Sequence, residues 1–199
     1  STYVNEDDAF KKYEKILSKI SEKVDGSVVD IGSGNAQLWS MIKNIPENKK
    51  YGIDFAEQMI ELARKNYPEG HFICDDAVNL KKYIKRKDNL GLIFTRGVMI
   101  NHVGTSYFKR IIDNAYPLLK NNGYFMFDFL NSEYFTDMKE VPDKPLFNLK
   151  EIIKFVLKTK FKKCWFQIYH QFGRSPIIVL QKKERKGNGI YFMTKNSDK

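Results

Sequence analysis

Val28-Val29-Asp30-Ile31-Gly32-Ser33-Gly34-Asn35-Ala36 is the stretch on which the reading of this chain turns. Three β-favouring residues, with an Asp among them, run straight into a glycine-rich turn. An amphipathic run, Gln37-Leu38-Trp39-Ser40-Met41-Ile42, follows at once. The order reads as strand, tight turn, helix. Glycines let the backbone turn sharply and let a ligand approach it closely, which a Cβ would block. A helix start presents unpaired N–H groups to whatever sits there. Taken alone, such a turn is common and unspecific.

Its neighbours make it specific. Tyr51-Gly52-Ile53-Asp54 is a second strand-like run, and its Asp54 follows Gly34 by 20 residues. An acidic side chain at that place accepts hydrogen bonds from both hydroxyls of a ribose. Asp54 also suits the start of the helix after it as a cap. The first βαβ unit therefore reads as built for a nucleoside-containing ligand.

The remaining chain alternates in the same way. Residues 6–22 form a helix with Ala9, Phe10, Tyr13, Ile16, Leu17 and Ile20 recurring at three and four spacings. Strands are expected at 27–31, 49–53, 71–74, 90–95, 124–130, 163–170 and 177–182, with helices at 36–43, 56–66, 107–119 and 148–159 and a short, basic helical or coil segment at 80–86. Strands that alternate with helices build a parallel sheet covered on both faces. The short Gly-Arg-Ser-Pro turn between the last two strands makes one strand antiparallel. The expected fold is α/β: a Rossmann-like, doubly wound, seven-stranded sheet, mostly parallel with the last strand antiparallel. The whole of 1–199 reads as a single domain. Residues 1–25 are its N-terminal helix cap, 131–147 a loop or lid, and 187–199 a loose tail.

Composition bounds the partners. The hydrophobic fraction is 42% and the aromatic fraction 14%, ample for a packed core. No apolar run approaches the roughly 20 residues of a membrane span. The acidic, polar N-terminus does not read as a signal or transit peptide. Cys74 and Cys164 lack metal-ligand spacing and sit in apolar runs, so both are expected as buried free thiols. A cytoplasmic protein is the simplest expectation. The net charge is +10, all of it beyond residue 149, where 13 Lys and Arg face 3 Asp and Glu. A basic end favours an anionic partner: RNA, a phosphorylated metabolite or a membrane surface.

With these residues in order, the chain resembles the class I S-adenosylmethionine-dependent methyltransferases. The resemblance rests on the stretches 30–36, Asp54, Cys74-Asp75-Asp76-Ala77-Val78-Asn79-Leu80, 92–98, and Tyr116 to Gly123, and covers about residues 8–182. It implies S-adenosylmethionine as cofactor, with S-adenosylhomocysteine as product. It implies that Gly32, Ser33 and Gly34 approach the methionine part and that Asp30 organises this loop. By the same resemblance Asp54 grips the ribose, Phe55 packs on the adenine, and Asp76 with Ala77 reads the adenine edge. Thr95, Arg96 and Gly97 lie at the end of the fourth strand, where this family meets the methionine portion. Asp75 fits the register less well than Asp76. Two departures stand out: Ala36 replaces the third glycine, and Gly91 replaces an acidic residue often found early in the fourth strand.

Methyl transfer is an in-line displacement that needs a positioned nucleophile and, for some acceptors, a base. The sequence has no metal-ligand cluster, no Pro-Cys pair and no Asn/Asp-Pro-Pro-aromatic run. His102 is the candidate catalytic base, with a packing role as the plainer alternative. Asn101, Tyr3 and Tyr13 are candidate substrate contacts, and Arg96 is a candidate anion-binding group. The leading expectation is O- or N-methylation of a small or sugar-like anionic molecule. RNA or protein docked on the basic residues 150–199, or a silent cofactor-binding subunit, are the alternatives. A dinucleotide dehydrogenase leaves Asp76-Ala77 unexplained.

Overall fold

The computed structural model describes residues 6–85, 89–136, 143–183 and 192–193. Tyr3, part of the 131–147 segment and most of the 187–199 tail lie outside the described residues.

The strands are β1 Ser27–Ile31, β2 Lys50–Asp54, β3 His71–Cys74, β4 Leu90–Thr95, β5 Leu119–Asp128, β6 Trp165–Tyr169, β7 Ile177–Gln181 and β8 Phe192–Met193. They form one sheet in the order β3-β2-β1-β4-β5-β7-β6-β8. β1 to β5 are parallel, and β7 inserts antiparallel between β5 and β6. The expected seven strands are present in the expected sense. The tail adds an eighth: Phe192–Met193 pairs parallel with β6, so that part of the tail is not loose.

The α-helices are α1 Glu6–Ser21, α2 Glu57–Asn66, α3 Leu80–Tyr83, α4 Met99–Ala115 and α5 Leu149–Leu157. Alternation along the strands feeds two cores. Val28, Leu92, Phe94, Met126, Ile177 and Val179 pack with Tyr13, Ile16, Leu17 and Ile20 of α1. Val29, Ile31, Ile93, Phe125, Phe127 and Ile178 pack with Phe108, Ile111 and Ile112 of α4 and Ile152 and Phe155 of α5. Such two-sided burial is why the central strands read as continuous apolar runs. Among the described residues, no helix is long and apolar enough to cross a membrane.

Four expectations need correction. The crossover helix expected at 36–43 is only a 3-10 turn, Gln37–Met41. Ala36 before it is left-handed (φ 61°), and buried Trp39 is held by stacking on Phe72 with ring centroids 4.6 Å apart. That anchoring and the Pro46 stop leave no room for further turns. The helix expected from Tyr107 begins at Met99. Gly104 breaks it (φ 77°, ψ 163°), so only the part after the break shows a clean period. β5 begins at Leu119, because Asn121-Asn122-Gly123 is a bulge within the strand rather than a turn before it: Leu90 pairs with Leu119 but Leu92 with Tyr124. Cys74 is exposed, since β3 is the sheet's edge, whereas Cys164 is buried as expected.

Gly91 proves to be a packing position. A Cβ there would stand 2.5 Å from Val24 Cγ1 and 2.6 Å from the Asp25 carbonyl oxygen. The turn from α1 into β1 lies directly against β4. Gly91→Ala is therefore expected to destabilise the fold by about 1–3 kcal/mol through overpacking. Urea unfolding will register this as a lower midpoint with an unchanged slope.

Candidate functional site

The sheet reverses its winding between β1 and β4, and ligands of open α/β sheets bind outside the strand ends at such a point. A crevice of about 360 Å³ opens there, and Gly32, Asp54, Phe55, Asp76, Met99 and Tyr107 are among the residues that line it.

The glycine loop forms the floor. Gly32 (φ 70°) and Gly34 (φ 52°) both occupy the left-handed region that favours glycine. The N–H groups of Gly32 and Ser33 donate to the Ile53 carbonyl at 2.8 and 3.2 Å. A Cβ on Gly34 would meet no atom of the described residues within 4 Å, so none of them fills the space above this backbone. Asp54 joins the loop to the next element: its carboxylate accepts from the Gly34 N–H and the Ala56 N–H, each at 2.9 Å. The cap-like bond and the crevice position thus coexist. Phe55 is 85% exposed beside them.

Asp30 lies under the loop, 2% exposed, and one carboxyl oxygen has no hydrogen-bond partner among the described residues. Burial pushes the Asp30 carboxyl up to about 8. The Trp39 indole N–H opposes the rise without reaching hydrogen-bond geometry, and the Asp54 charge adds to it. The Ser33 hydroxyl is likewise buried without a partner. Unpartnered buried polar atoms carry an energetic cost and call for an explanation.

Opposite the loop, Asp76 caps a 3-10 turn, Ala77–Asn79, by accepting from the Val78 N–H at 2.9 Å. Its other oxygen accepts from the Tyr107 hydroxyl. Tyr107 was not anticipated from the sequence. It sits one turn beyond the Gly104 break, so no continuous helical pattern ties it to Met99. Asp75 is committed elsewhere: it accepts from Tyr83, Asn79 and the Asp76 N–H. The Tyr83 and Asn79 bonds hold its carboxyl below the usual range.

The loop after β4 carries the third part. Thr95 is buried, and its carbonyl accepts from the Tyr13 hydroxyl at 2.6 Å. Tyr13 is 1% exposed on the α1 side of the sheet. Burial, then the Asp128 and Asp30 charges, keep its hydroxyl protonated. Tyr13 therefore supports the strand end and presents no open face to a substrate. The Arg96 guanidinium lies 3.9 Å over the Phe10 ring. Gly97 (φ 89°) and Val98 (φ 52°) follow in left-handed conformations. For a β-branched residue this is strained, and such strain persists only when neighbours impose it. Asp128 imposes it here: its carboxylate accepts from the Val98 N–H at 2.8 Å and from the Ser175 hydroxyl at 3.1 Å. Burial raises the Asp128 carboxyl, against those bonds and the Arg96 charge.

His102 and Asn101 lie in the first turns of α4. Asn101 is 1% exposed. Its side chain donates to the Pro145 carbonyl at 2.6 Å and accepts from the Leu130 N–H at 2.9 Å. The structure thus engages it with backbone rather than presenting it to a substrate. His102 is exposed, and its Nε2 faces the Lys144 ammonium at 3.1 Å. Partial burial, then the Lys144 charge, lower the imidazole below its usual range, and the nearby Gly97 backbone opposes them.

Asp30 carries a stability consequence with a definite sign. Its folded value of about 8 exceeds the ordinary carboxylate value of 3.8, so the folded chain holds a proton that the unfolded chain releases. The stability it allows is present below pH 4 and is lost as the pH rises toward 8. Asp30→Asn is expected to gain on the natural chain across that window, by at most about 1.4 kcal/mol per pH unit. Thermal unfolding from pH 5 to pH 8.5 checks this, and the Tm gap should widen with pH.

Comparison with known proteins agrees with this geometry. Residues 28–123 match the family model described as a methyltransferase domain. The ribosomal protein L11 methyltransferase of Staphylococcus epidermidis is 25% identical over 118 residues, covering 57% of this chain and 35% of that protein. The chain thus matches about a third of that relative's length. An S-adenosylmethionine-dependent methyltransferase from Clostridium acetobutylicum superposes with a TM-score of 0.67 at 13% identity, over 87% of this chain and 92% of that one. A sugar N-methyltransferase from a Streptoalloteichus species gives 0.70 at 11% identity, over 88% of each chain. Likeness at such identity speaks of the fold. Residues 28–123 thus carry a methyltransferase domain, within a sheet like that of S-adenosylmethionine-dependent methyltransferases.

Proposed function

We propose that the crevice binds S-adenosylmethionine and that the chain moves its methyl group to an oxygen or nitrogen of a small, anionic, sugar-like acceptor. The observation that carries the cofactor reading is the glycine loop itself. Gly34 leaves room for a close approach, and Asp30 and Ser33 of the same strand-and-turn stretch each keep a buried side-chain oxygen without a partner among the described residues. These are the features that a ligand with an ammonium group and a close-lying backbone would satisfy, so the residues fit the group.

When bound, S-adenosylmethionine supplies a methyl group on a positively charged sulfur. The chain's own residues do the rest. Asp54 keeps acceptor lone pairs for the ribose hydroxyls while it holds Gly34. Phe55 offers an exposed ring to the adenine face, and Asp76 with Ala77 offers polar groups to its edge. Thr95, Arg96 and Gly97 border the methionine end. His102, neutral at physiological pH, takes the acceptor's proton. Arg96 and Lys144 give the loop ends a positive field suited to an anion.

A second reading has its own support. Between residues 150 and 183 there are nine Lys and Arg and one acidic residue. Lys109, Lys154 and Lys158 rim a groove of about 490 Å³ between α4 and α5. An RNA or protein substrate would use that side, and a ribosomal-protein methyltransferase stands among the relatives. A cofactor-binding subunit without activity of its own is the remaining alternative.

Incubation with methyl-labelled S-adenosylmethionine and lysate split into small molecules, RNA and protein separates these readings, with Asp54→Ala as the control. Label in the anionic small-molecule pool is the expected result. Label in RNA or protein overturns the acceptor assignment, and failure to bind S-adenosylhomocysteine overturns the cofactor assignment. Phe55→Ala should leave stability within about 0.5 kcal/mol, since the ring is exposed. It should weaken S-adenosylhomocysteine binding by about fivefold to tenfold, as a stacked ring contributes about 1 kcal/mol. Calorimetry measures both in one preparation. Affinity should also rise from pH 6.5 to 8.5 as Asp30 ionises against the ligand's ammonium, and Asp30→Asn should abolish that rise.

A further inference from the structure

His102 and Lys144 come from distant parts of the chain, yet the backbone beside each is fixed. The Asn101 side chain, next to His102, ties the Pro145 carbonyl, next to Lys144, to the Leu130 N–H at the end of β5. Two residues further on, the Phe147 N–H donates to the Leu130 carbonyl, and the Phe147 carbonyl accepts from the Ser132 N–H. On the other side, the turn that leads into α4, four residues before His102, is held by Asp128 through the Val98 N–H. The pair is thus presented by two clamped segments, while both side chains remain open to solvent.

The contact has a chemical consequence. An ammonium has donors and no acceptor, so its 3.1 Å approach to Nε2 requires a neutral ring with its lone pair on that nitrogen. That lone pair is the one a base would use, and Lys144 occupies it. The charges nearby leave Lys144 as the partner that can be drawn away. Arg96 is stacked on Phe10, Asp128 is engaged with Val98 and Ser175, and Asp143 precedes Lys144 in the exposed loop.

We propose that Lys144 is a specificity-determining partner of His102: an acceptor bearing an oxyanion draws the ammonium off Nε2, and the freed lone pair then takes the acceptor's proton. This rests on the methyl-transfer reading above. The acceptor's heteroatom bonds the methyl carbon as the carbon–sulfur bond breaks, its electron pair staying on sulfur. The acceptor's proton passes to Nε2 and from the imidazolium to water. An acceptor without an oxyanion near its nucleophile leaves the base covered, so the pair selects substrates by charge before chemistry begins. A carboxylate and a phosphate share the needed chemistry.

The test observes the ring directly. The His102 imidazole is followed by NMR through a pH titration, assigned by the signal lost in His102→Gln. His71 and His170 serve as internal reports of folding. Inorganic phosphate, and acetate in parallel, are added to the natural chain, to Lys144→Met and to Lys144→Arg. Lys144→Met should raise the titration midpoint of His102, because a positive charge is removed. Phosphate should raise it saturably in the natural chain and in Lys144→Arg, and should need at least about tenfold more anion in Lys144→Met. A matching effect of acetate would mark carboxylate acceptors as eligible, and phosphate alone would mark phosphorylated ones. An identical phosphate response with and without Lys144, or no response in the natural chain, overturns the proposal. S-adenosylhomocysteine binding on the same samples reports on the methyl-transfer reading separately, so either can fail alone.

Discussion

Two backbone N–H groups converge on the Asp54 carboxylate, and the crevice takes its shape from that convergence. Gly34 belongs to the turn after β1, and Ala56 opens α2 after β2. Without a shared acceptor, the turn and the strand end would each leave a donor facing the crevice. One carboxylate satisfies both and fixes the distance between floor and wall. Charge-assisted bonds of this kind are stronger than neutral ones. Asp54 makes both bonds from a half-buried place at the rim. Asp30, one strand over and two residues before its own turn, lies beneath the sheet end and keeps a proton instead.

The same contrast runs across the sheet. Asp30 and Asp128 end neighbouring parts of the floor on the α1 side, both buried and both raised by burial. Tyr13 stands near both from α1. Asp128 spends its oxygens on Val98 and Ser175 and so holds a β-branched residue in a backbone conformation it would not choose. Asp30 keeps one oxygen without a partner among the described residues. One carboxyl is therefore used to build the loop, and the other is left for what the loop receives.

Much of this was legible before any coordinates. The alternation of apolar strands with periodic helices implied the sheet, and the bounds of β1, β3 and β4 match the expected runs. Glycines, Asp54 and Asp76 were placed on one crevice by their spacing within a known family pattern. What failed to show had local causes. The first crossover lost its helix to a left-handed Ala36 and an anchored Trp39, neither of which alters hydrophobic period. α4 hid its first turns behind Gly104, and with them the link from Met99 to Tyr107. Asn101 looked polar and available beside His102. Only the fold shows that its amide is engaged with Pro145 and Leu130, because those partners lie 44 and 29 residues away. Lys144 carried no pattern at all, since a lone lysine in an irregular segment resembles any solvated one.

The insertion of β7 between β5 and β6 reaches beyond topology. The family-matched segment ends at residue 123, inside the bulge of β5. The strand that covers β5, the Asp128 that shapes the Val98 turn, the Ser175 that steadies Asp128 and the Lys144 that faces His102 all come afterwards. On the proposed reading, the cofactor contacts and His102 lie before residue 123 and the lysine that faces His102 lies after it, with β5 between them. Substitutions beyond β5 would then alter the pairing of His102 while leaving the glycine loop and Asp54 in place. The boundary between those two proposed roles runs along β5.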